Sequence, residues 1–187
     1  VVPVVMPFTA STEMGERNVA AECMGLMTFM QPTAMLTELD SMFAADFGSD
    51  PAAAAPGPDK DEASAKTTER DHRRWSLATA MRFAVSRELL DATKRAVLNS
   101  VLVKYLPELL GDENIDVCKA AVMLLTSVIH RNRDWIHTLA PTSGGEKPVL
   151  DVVFPKLMTI LAFKRTIEVD TGPFKFKEDL GLPLRKA

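Results

Sequence analysis

The sequence predicts an all-α chain in which successive amphipathic helices pack side by side. Apolar residues recur at helical spacing in six separate segments, and the residues between those segments are of kinds that end or begin helices. Alternation of apolar and polar residues, which is typical of strands, is confined to one stretch near residue 170. The 187 residues, 47% hydrophobic and 25% charged, suit an ordinary globular chain.

The first two helices are predicted on either side of Pro32. Proline is favoured in the first turn of a helix and disrupts a helix interior, so it separates segments 12–31 and 33–44. In the first segment the spacing places four apolar residues on one face: Val19, Cys23, Leu26 and Met30. The second segment continues the pattern with Met35, Leu36, Leu39, Met42 and Phe43.

Four further helices are predicted beyond residue 70, at about 71–86, 89–110, 115–130 and 150–161. Gly111 and Asp112 end the second of these, and Asp112 or Asn114 can cap the third. A loop at 140–147 precedes the fourth. The expected core residues are Trp75, Ala78, Met81, Phe83, Val85, Ala96, Val97, Val101, Leu102, Tyr105, Leu106, Val117, Ala121, Leu124, Val128, Leu150, Val153, Phe154, Leu157, Ile160 and Leu161.

Residues 45–70 differ in composition from the rest of the chain. They are rich in Ala, Pro, Gly, Asp and Lys, and Phe47 is their only aromatic residue. Such a segment buries too little apolar surface to offset the entropy lost on ordering. We therefore predict a disordered loop inserted between two helices.

Two kinds of helix alternate along the chain. One carries a proline inside an apolar cluster, at Pro7, Pro107 and Pro155. The other carries a basic residue beside small residues, at Arg17, Arg74, Lys119 and Arg185, and the residues at 74 and 119 are 45 positions apart. That interval suits the repeat length of about 40–47 residues in HEAT and armadillo proteins. Residues 1–187 are therefore predicted to form part of one HEAT/armadillo-type helical repeat solenoid, a piece of a longer protein.

The repeats also suggest how neighbouring helices would meet. Small residues such as Ala20, Ala21, Ala120 and Ala121 would let helices approach closely. Asp116 and Lys119 could build a ladder of polar contacts between repeats. The alternative is a solvated helix N-terminus at which an acidic residue is favourable.

Residues 164–181 break the helical pattern. Ile167 and Val169 alternate with polar residues, and Phe174 and Phe176 do the same beyond a Gly-Pro turn. Period-two alternation around such a turn predicts a β-hairpin between two repeats. Because a lone two-stranded hairpin is marginally stable in water, its apolar side chains need a surface, either the chain's own helices or a partner protein.

Residues that carry enzyme or metal chemistry do not cluster in this sequence. His72, His130 and His137 lie outside metal-ligand spacings such as HExxH, and Cys23 and Cys118 are far apart. We expect the histidines to lie at the surface or to cap helices, and the cysteines to be buried in the core. Phosphate-binding Gly-rich motifs and nucleophile motifs are missing. We therefore predict no enzyme activity, metal, cofactor or small-molecule substrate.

Charge and hydropathy indicate which partners to expect. A net charge of −3 gives no reason to expect nucleic acid. No apolar run reaches the roughly 18 residues that a membrane span needs. Trp75 and Trp135 are more simply explained by packing than by ligand stacking. The expected partner is another protein.

Three stretches resemble one known family. They are RNVAAECMG at 17–25, RRWSLATAMRFAVS at 73–86, and GPFK at 172–175 followed by GL at 181–182 and LRKA at 184–187. Their order and spacing are similar to the C-terminal HEAT-repeat part of the cullin-associated, neddylation-dissociated proteins, also described as TATA-binding-protein-interacting proteins. The resemblance covers nearly the whole chain apart from the insertion.

The resemblance implies a non-catalytic scaffold that binds the N-terminal region of cullins. In that family the hairpin competes with a substrate-receptor adaptor, which regulates the assembly and exchange of cullin–RING (SCF) ubiquitin ligases, and binding excludes cullin modified by neddylation. It also implies a cytoplasmic and nuclear location. The alternative is a generic HEAT-repeat scaffold with a different cargo, of the transport or phosphatase-scaffold type. By resemblance, the partner-binding residues are Ile167, Glu168, Val169, Asp170, Gly172, Pro173, Phe174, Lys175 and Phe176.

Overall fold

A computed structural model describes residues 2–48, 60–86, 92–131, 149–170, 172, 175–179 and 181–187. This part of the chain is helical apart from one two-stranded hairpin, which confirms the predicted all-α repeat fold. No helix among the described residues is long and apolar enough to cross a membrane. The elements are α1 (Val2–Val5), a 3-10 helix (Met6–Ala10), α2 (Met14–Met30), α3 (Pro32–Gly48), α4 (Lys60–Ser86), α5 (Ala92–Leu110), α6 (Ile115–Arg131), α7 (Val149–Ala162), β1 (Thr166–Asp170), β2 (Lys175–Asp179) and α8 (Leu182–Lys186).

The helices lie in two layers. In one layer α2 packs on α4, α4 on α6, and α6 on α8, and in the other α3 packs on α5 and α5 on α7. Each helix therefore contacts the next helix but one, as in a helical repeat stack, where every unit buries its apolar face against its neighbours. Two predicted helix starts are confirmed, since α3 begins at Pro32 and α6 begins after Asn114.

Asn114, rather than Asp112, caps α6. The Asn114 Oδ1 accepts hydrogen bonds from the backbone N–H of Asp116 (2.9 Å) and of Val117 (3.3 Å). Asp112 supports the turn before it, because its Oδ1 accepts from the backbone N–H of Asn114 at 2.8 Å. The sequence left these two candidates open, and the geometry assigns the cap to the residue next to the helix.

Three helices of the first layer bury residues at the same relative spacing along the helix. When these positions are aligned, Val117 of α6 corresponds to Arg74 of α4; because α4 also buries Leu77, Ala80, Met81 and Ala84 at the same spacing, the equivalence of Arg74 and Lys119 stays a prediction. The corresponding repeat interval is 43 residues, still within the HEAT range. The matching sets are Arg17, Ala20, Ala21, Met24 and Thr28 in α2; Arg74, Leu77, Ala78, Met81 and Val85 in α4; and Val117, Ala120, Ala121, Leu124 and Val128 in α6, all buried except the half-buried Arg74.

The buried face of α2 is not the predicted one. Val19 and Met30, predicted to face the core, are 62% and 76% exposed, and Cys23 and Leu26 are half-buried. The packed face carries small residues, because α2 approaches α4 so closely that a Cβ on Gly25 would lie 2.5 Å from the Phe83 Cβ. Hydrophobic bulk therefore indicated the wrong side of this helix.

The predicted disorder at 45–70 was wrong at both edges. Residues 45–48 belong to α3 and residues 60–70 to α4, while 49–59 lie outside the described residues. The C-terminal end of α3 is held because Asp46 pairs with Arg73 (Nε–Oδ1 2.8 Å). The first turns of α4 are rich in Ala, Lys and Glu, which favour helix even where residues 64–69 are exposed.

The face of α7 was predicted only in part. Val153 and Ile160 are buried and Leu157 is half-buried, whereas Phe154 is 63% and Leu161 57% exposed. Among the described helices α7 packs on α5 and α8, so the side that carries these two residues is left uncovered.

The remaining predicted core residues are mostly buried. Those of α3 and α6 are all buried, whereas Trp75 and Phe83 of α4 are half-buried. The side chains of Ala96, Val97 and Leu150 lie outside those that the structure describes.

Polar contacts do link successive repeats, but through other residues than predicted. Arg74 of α4 pairs with Asp112 (Nη1–Oδ2 2.9 Å), and Asn114 donates to Asp71 at 3.0 Å. Asp116 is exposed in the first turn of α6, as the alternative interpretation had it.

Candidate protein-binding hairpin

The hairpin has one apolar face. β1 and β2 are antiparallel, with Val169 opposite Phe176 and Ile167 opposite Glu178. Since residues two apart in a strand and residues directly opposite each other share a face, Ile167, Val169 and Phe176 lie together, with the exposed Glu178 beside them opposite Ile167. Phe176 is 49% exposed and the other two are half-buried. We call these three residues the apolar face.

The other face is charged. Glu168 lies opposite Lys177 and Asp170 opposite Lys175, with Nζ–O distances of 3.9 Å and 3.1 Å. All four side chains are exposed, so each pair contributes at most about 1 kcal/mol in a salt-screened solvent. These pairs agree with the strand register and add little binding surface for an apolar partner. We call these four residues the charged face.

The turn joins the two strands at Gly172. Its φ of 83° lies in the left-handed region that glycine adopts without strain, and its N–H donates to the Asp170 Oδ1 at 3.0 Å. Pro173 and Phe174, both predicted as partner-binding residues, lie outside the described residues, as does Thr171.

The base of the hairpin was not predicted from the sequence as part of the site. Arg185 of α8 donates through Nη1 to the backbone carbonyl of Phe163 and through Nη2 to the Asp179 carboxylate. The Asp179 Oδ1 also accepts from the N–H of Gly181 at 2.9 Å. The Arg185 guanidinium, and secondarily the Gly181 N–H, hold the pKa of Asp179 below its ordinary 3.8. We call Phe163, Asp179, Gly181 and Arg185 the hairpin base.

The structure thus divides the predicted site residues. It brings Ile167, Val169 and Phe176 together, and it places Glu168, Asp170 and Lys175 on the opposite side. The one signal for the hairpin base was the recurrence of basic residues at repeat intervals, which includes Arg185.

Both cysteines and the described histidines, His72 and His130, lie on helices and not on the hairpin strands. Cys118 is buried, as expected, and burial raises the pKa of its thiol to about 11, whereas Cys23 is only half-buried. His72 is half-buried and His130 is exposed in the last turn of α6; His137 lies outside the described residues. In the ranges that the structure covers, no three His, Cys, Asp or Glu side chains gather as metal ligands do.

Comparison with known proteins gives a consistent result. No protein family model matches the chain. It is 26% identical over 95% of its length to "Cullin-associated NEDD8-dissociated protein 2" of Mus musculus. It is 29% identical over 95% to "Cullin-associated NEDD8-dissociated protein 1" of Arabidopsis thaliana, and 23% identical over 100% to the protein of that name in Dictyostelium discoideum.

The chain spans only about 12% of the length of these relatives. Each relative's name describes a cullin-associated protein. The resemblance found in the sequence is therefore confirmed: over nearly its whole length the chain is similar to cullin-associated NEDD8-dissociated proteins.

Proposed function

We propose that this chain is a non-catalytic repeat scaffold that binds a cullin through its β-hairpin. The observation that carries the proposal is the apolar face of Ile167, Val169 and Phe176, presented on a helical repeat stack whose sequence is 26% identical to a protein named as cullin-associated. The finer mechanism is also part of the proposal. The hairpin binds the N-terminal region of the cullin, competes there with a substrate-receptor adaptor, and so regulates exchange of cullin–RING ligases in cytoplasm and nucleus.

The apolar face is suited to a protein partner. In the described part of the chain, the two strands contact each other more extensively than they contact any helix. Phe176 is therefore left 49% exposed, although it is a large aromatic side chain. Aromatic residues at the centre of an interface supply much of its binding energy, since they bury a large area with few rotatable bonds.

Competition needs no covalent chemistry. If hairpin and adaptor require the same cullin surface, each lowers the apparent affinity of the other by mass action, and the coupling is equal in both directions. Exchange then depends on the relative concentrations and dissociation rates of the two ligands.

The test is the affinity of this chain for the unmodified N-terminal domain of a cullin, measured by biolayer interferometry. Phe176→Ala removes the largest side chain of the apolar face. Truncation of a central aromatic costs about 2 kcal/mol or more, which weakens binding about 30-fold. Added adaptor should raise the apparent Kd in proportion to its concentration.

The matched control is Phe8→Ala, because Phe8 lies on the 3-10 helix and not on the hairpin, and is 46% exposed against 49% for Phe176. It removes the same side chain from another part of the surface, so we expect an affinity within about threefold of the original. Equal losses in both variants would contradict binding through the apolar face. A folded original chain that binds no cullin would refute direct cullin recognition and leave a repeat scaffold with another cargo.

A further inference from the structure

The direction in which the hairpin projects is fixed at its base. The strands pack chiefly on each other, and the described connections to α7 and α8 are short: residues 163–165 before β1 and Gly181 before α8. A two-stranded hairpin with no sheet behind it is marginally stable, so its orientation depends on contacts where it leaves the helices. The Asp179 carboxylate accepts from the backbone N–H groups of Gly181 and Arg165, and one side chain, Arg185, adds two further bonds at the base.

Arg185 joins the two ends of the hairpin to each other. Phe163 lies just before β1 and Asp179 ends β2, and the two arms of one guanidinium bond to both. The Arg185 side chain is 17% exposed and that of Asp179 is 28%, so solvent competes weakly for these bonds. The planar guanidinium can donate to two acceptors at once in fixed directions, which an ammonium on a flexible stem does poorly.

Gly181 makes room for this arrangement. A Cβ on Gly181 would lie 2.6 Å from the Phe163 carbonyl oxygen and 2.7 Å from the Arg185 Nη1. Its φ of −80° is accessible to any residue, so the requirement here is space and not backbone freedom. The glycine therefore serves the same contact that Arg185 makes.

Two other arginines of the same helix layer make similar bonds to backbone carbonyls. Arg17 donates to the carbonyls of Ser11 and Thr12 before α2, and Arg74 donates to the carbonyl of Asp46 at the end of α3. In each case an arginine of a first-layer helix donates to a backbone carbonyl that lies before that helix in the chain, although Arg17 lies in the first turns of α2 and Arg74 lies near the middle of α4. In the last repeat the chain between carbonyl and arginine contains the hairpin.

We infer that Arg185 is a positioning residue that fixes the hairpin in one orientation and so preorganises the apolar face for its partner. It acts through Phe163 and Asp179 and does not need to touch the partner itself. Preorganisation favours affinity because the bound state then orders fewer groups that were free before. The inferred effect on partner affinity rests on the proposed function, whereas the inferred effect on the orientation of the hairpin does not.

The test compares Arg185→Ala and Arg185→Lys with Lys186→Ala, an exposed neighbour on the same helix. ¹⁵N relaxation of the free chain gives backbone order parameters for residues 166–170 and 175–179 relative to α5 and α6. We expect both Arg185 variants to lower the order parameters of the strands below about 0.6, with helical values unchanged. The Lys186 variant should match the original chain, and melting temperatures show whether α8 remains folded.

Affinity for the cullin N-terminal domain is measured on the same samples. We expect a loss of about tenfold in the Arg185 variants, a change comparable with the ordering of a few side chains and a short loop. Unchanged order parameters in both variants would overturn the inference, and so would lowered order parameters with full affinity. If the original chain binds no cullin, the proposed function fails, and the order parameters alone still decide whether Arg185 positions the hairpin.

Discussion

Replacing Gly25 with alanine should separate two helices that stack in one layer. An added Cβ would lie 2.5 Å from the Phe83 Cβ and 2.8 Å from the Ala80 carbonyl oxygen. Ordinary carbon–carbon contact is about 3.5 Å or more, so α2 and α4 must move apart by about 1 Å. Backbone and Cβ atoms cannot rotate away, which places the overpacking cost near the upper end of about 1–3 kcal/mol.

The magnitude follows from two opposing effects. Alanine favours a helix interior over glycine by about 1 kcal/mol, so the net loss in unfolding free energy is about 2 kcal/mol. For a chain of this size that corresponds to a melting temperature lowered by roughly 4–8 °C. Urea unfolding followed by circular dichroism at 222 nm measures the same change as a midpoint lowered by about 1 M.

Gly15 supplies the matched control in the same helix. A Cβ there meets nothing within 4 Å, so Gly15→Ala should leave stability unchanged or raise it by up to about 1 kcal/mol. The two substitutions are chemically identical, so the difference in unfolding free energy between the two variants measures the effect of the close contact at Gly25. A Gly25 variant as stable as the Gly15 variant would refute the close α2–α4 approach and the repeat stacking built on it.

Three further predictions concern single side chains. Asn114→Ala removes the α6 cap and should lower the unfolding free energy by about 1–2 kcal/mol, measured in urea. Burial raises the pKa of the Cys118 thiol to about 11, so this thiol stays protonated in the folded chain while it ionises near 9.0 in the unfolded chain. The unfolding free energy should therefore fall as pH rises from 9 to 11. At pH 8, iodoacetamide should label the half-buried Cys23 well before the buried Cys118. Because Arg185 lowers the pKa of Asp179, this carboxylate should stabilise the folded chain above pH 3.8 and lose that effect as pH falls through its lowered pKa. In the Arg185→Ala variant, a ¹³C-carboxyl NMR titration should show the pKa of Asp179 closer to 3.8 than in the original chain.

The apolar pattern predicted which segments are helices better than it predicted which side of a helix is buried. In α3 and α6 every apolar residue that the periodicity assigned to the core is buried. In α2 they do not, because Val19 and Met30 lie outside while Ala20, Ala21 and Gly25 pack. Periodicity measures where hydrophobic bulk lies along a helix, and it carries no information on how near the neighbouring helix will come.

The edges of the insertion show a second limit of composition. Phe47 stacks on Phe43 within α3, with ring centroids 6.2 Å apart. Arg73 and Arg74 of α4 add contacts to Asp46 and Phe47, and the Arg74 guanidinium lies 4.0 Å from the Phe47 ring centroid. The partners are 27 residues apart in the chain. A window of neighbouring residues cannot contain such a contact.

By itself the sequence determined the element types, the repeat architecture, the hairpin between two repeats and the resemblance to cullin-associated proteins. Each of these is encoded by local periodicity, by turn residues or by motifs that read along the chain. The tertiary structure alone decided which faces of α2 and α7 are covered and that Arg185 contacts both ends of the hairpin. These depend on distances between residues far apart in sequence, and helix packing sets those distances through the sizes of the facing side chains.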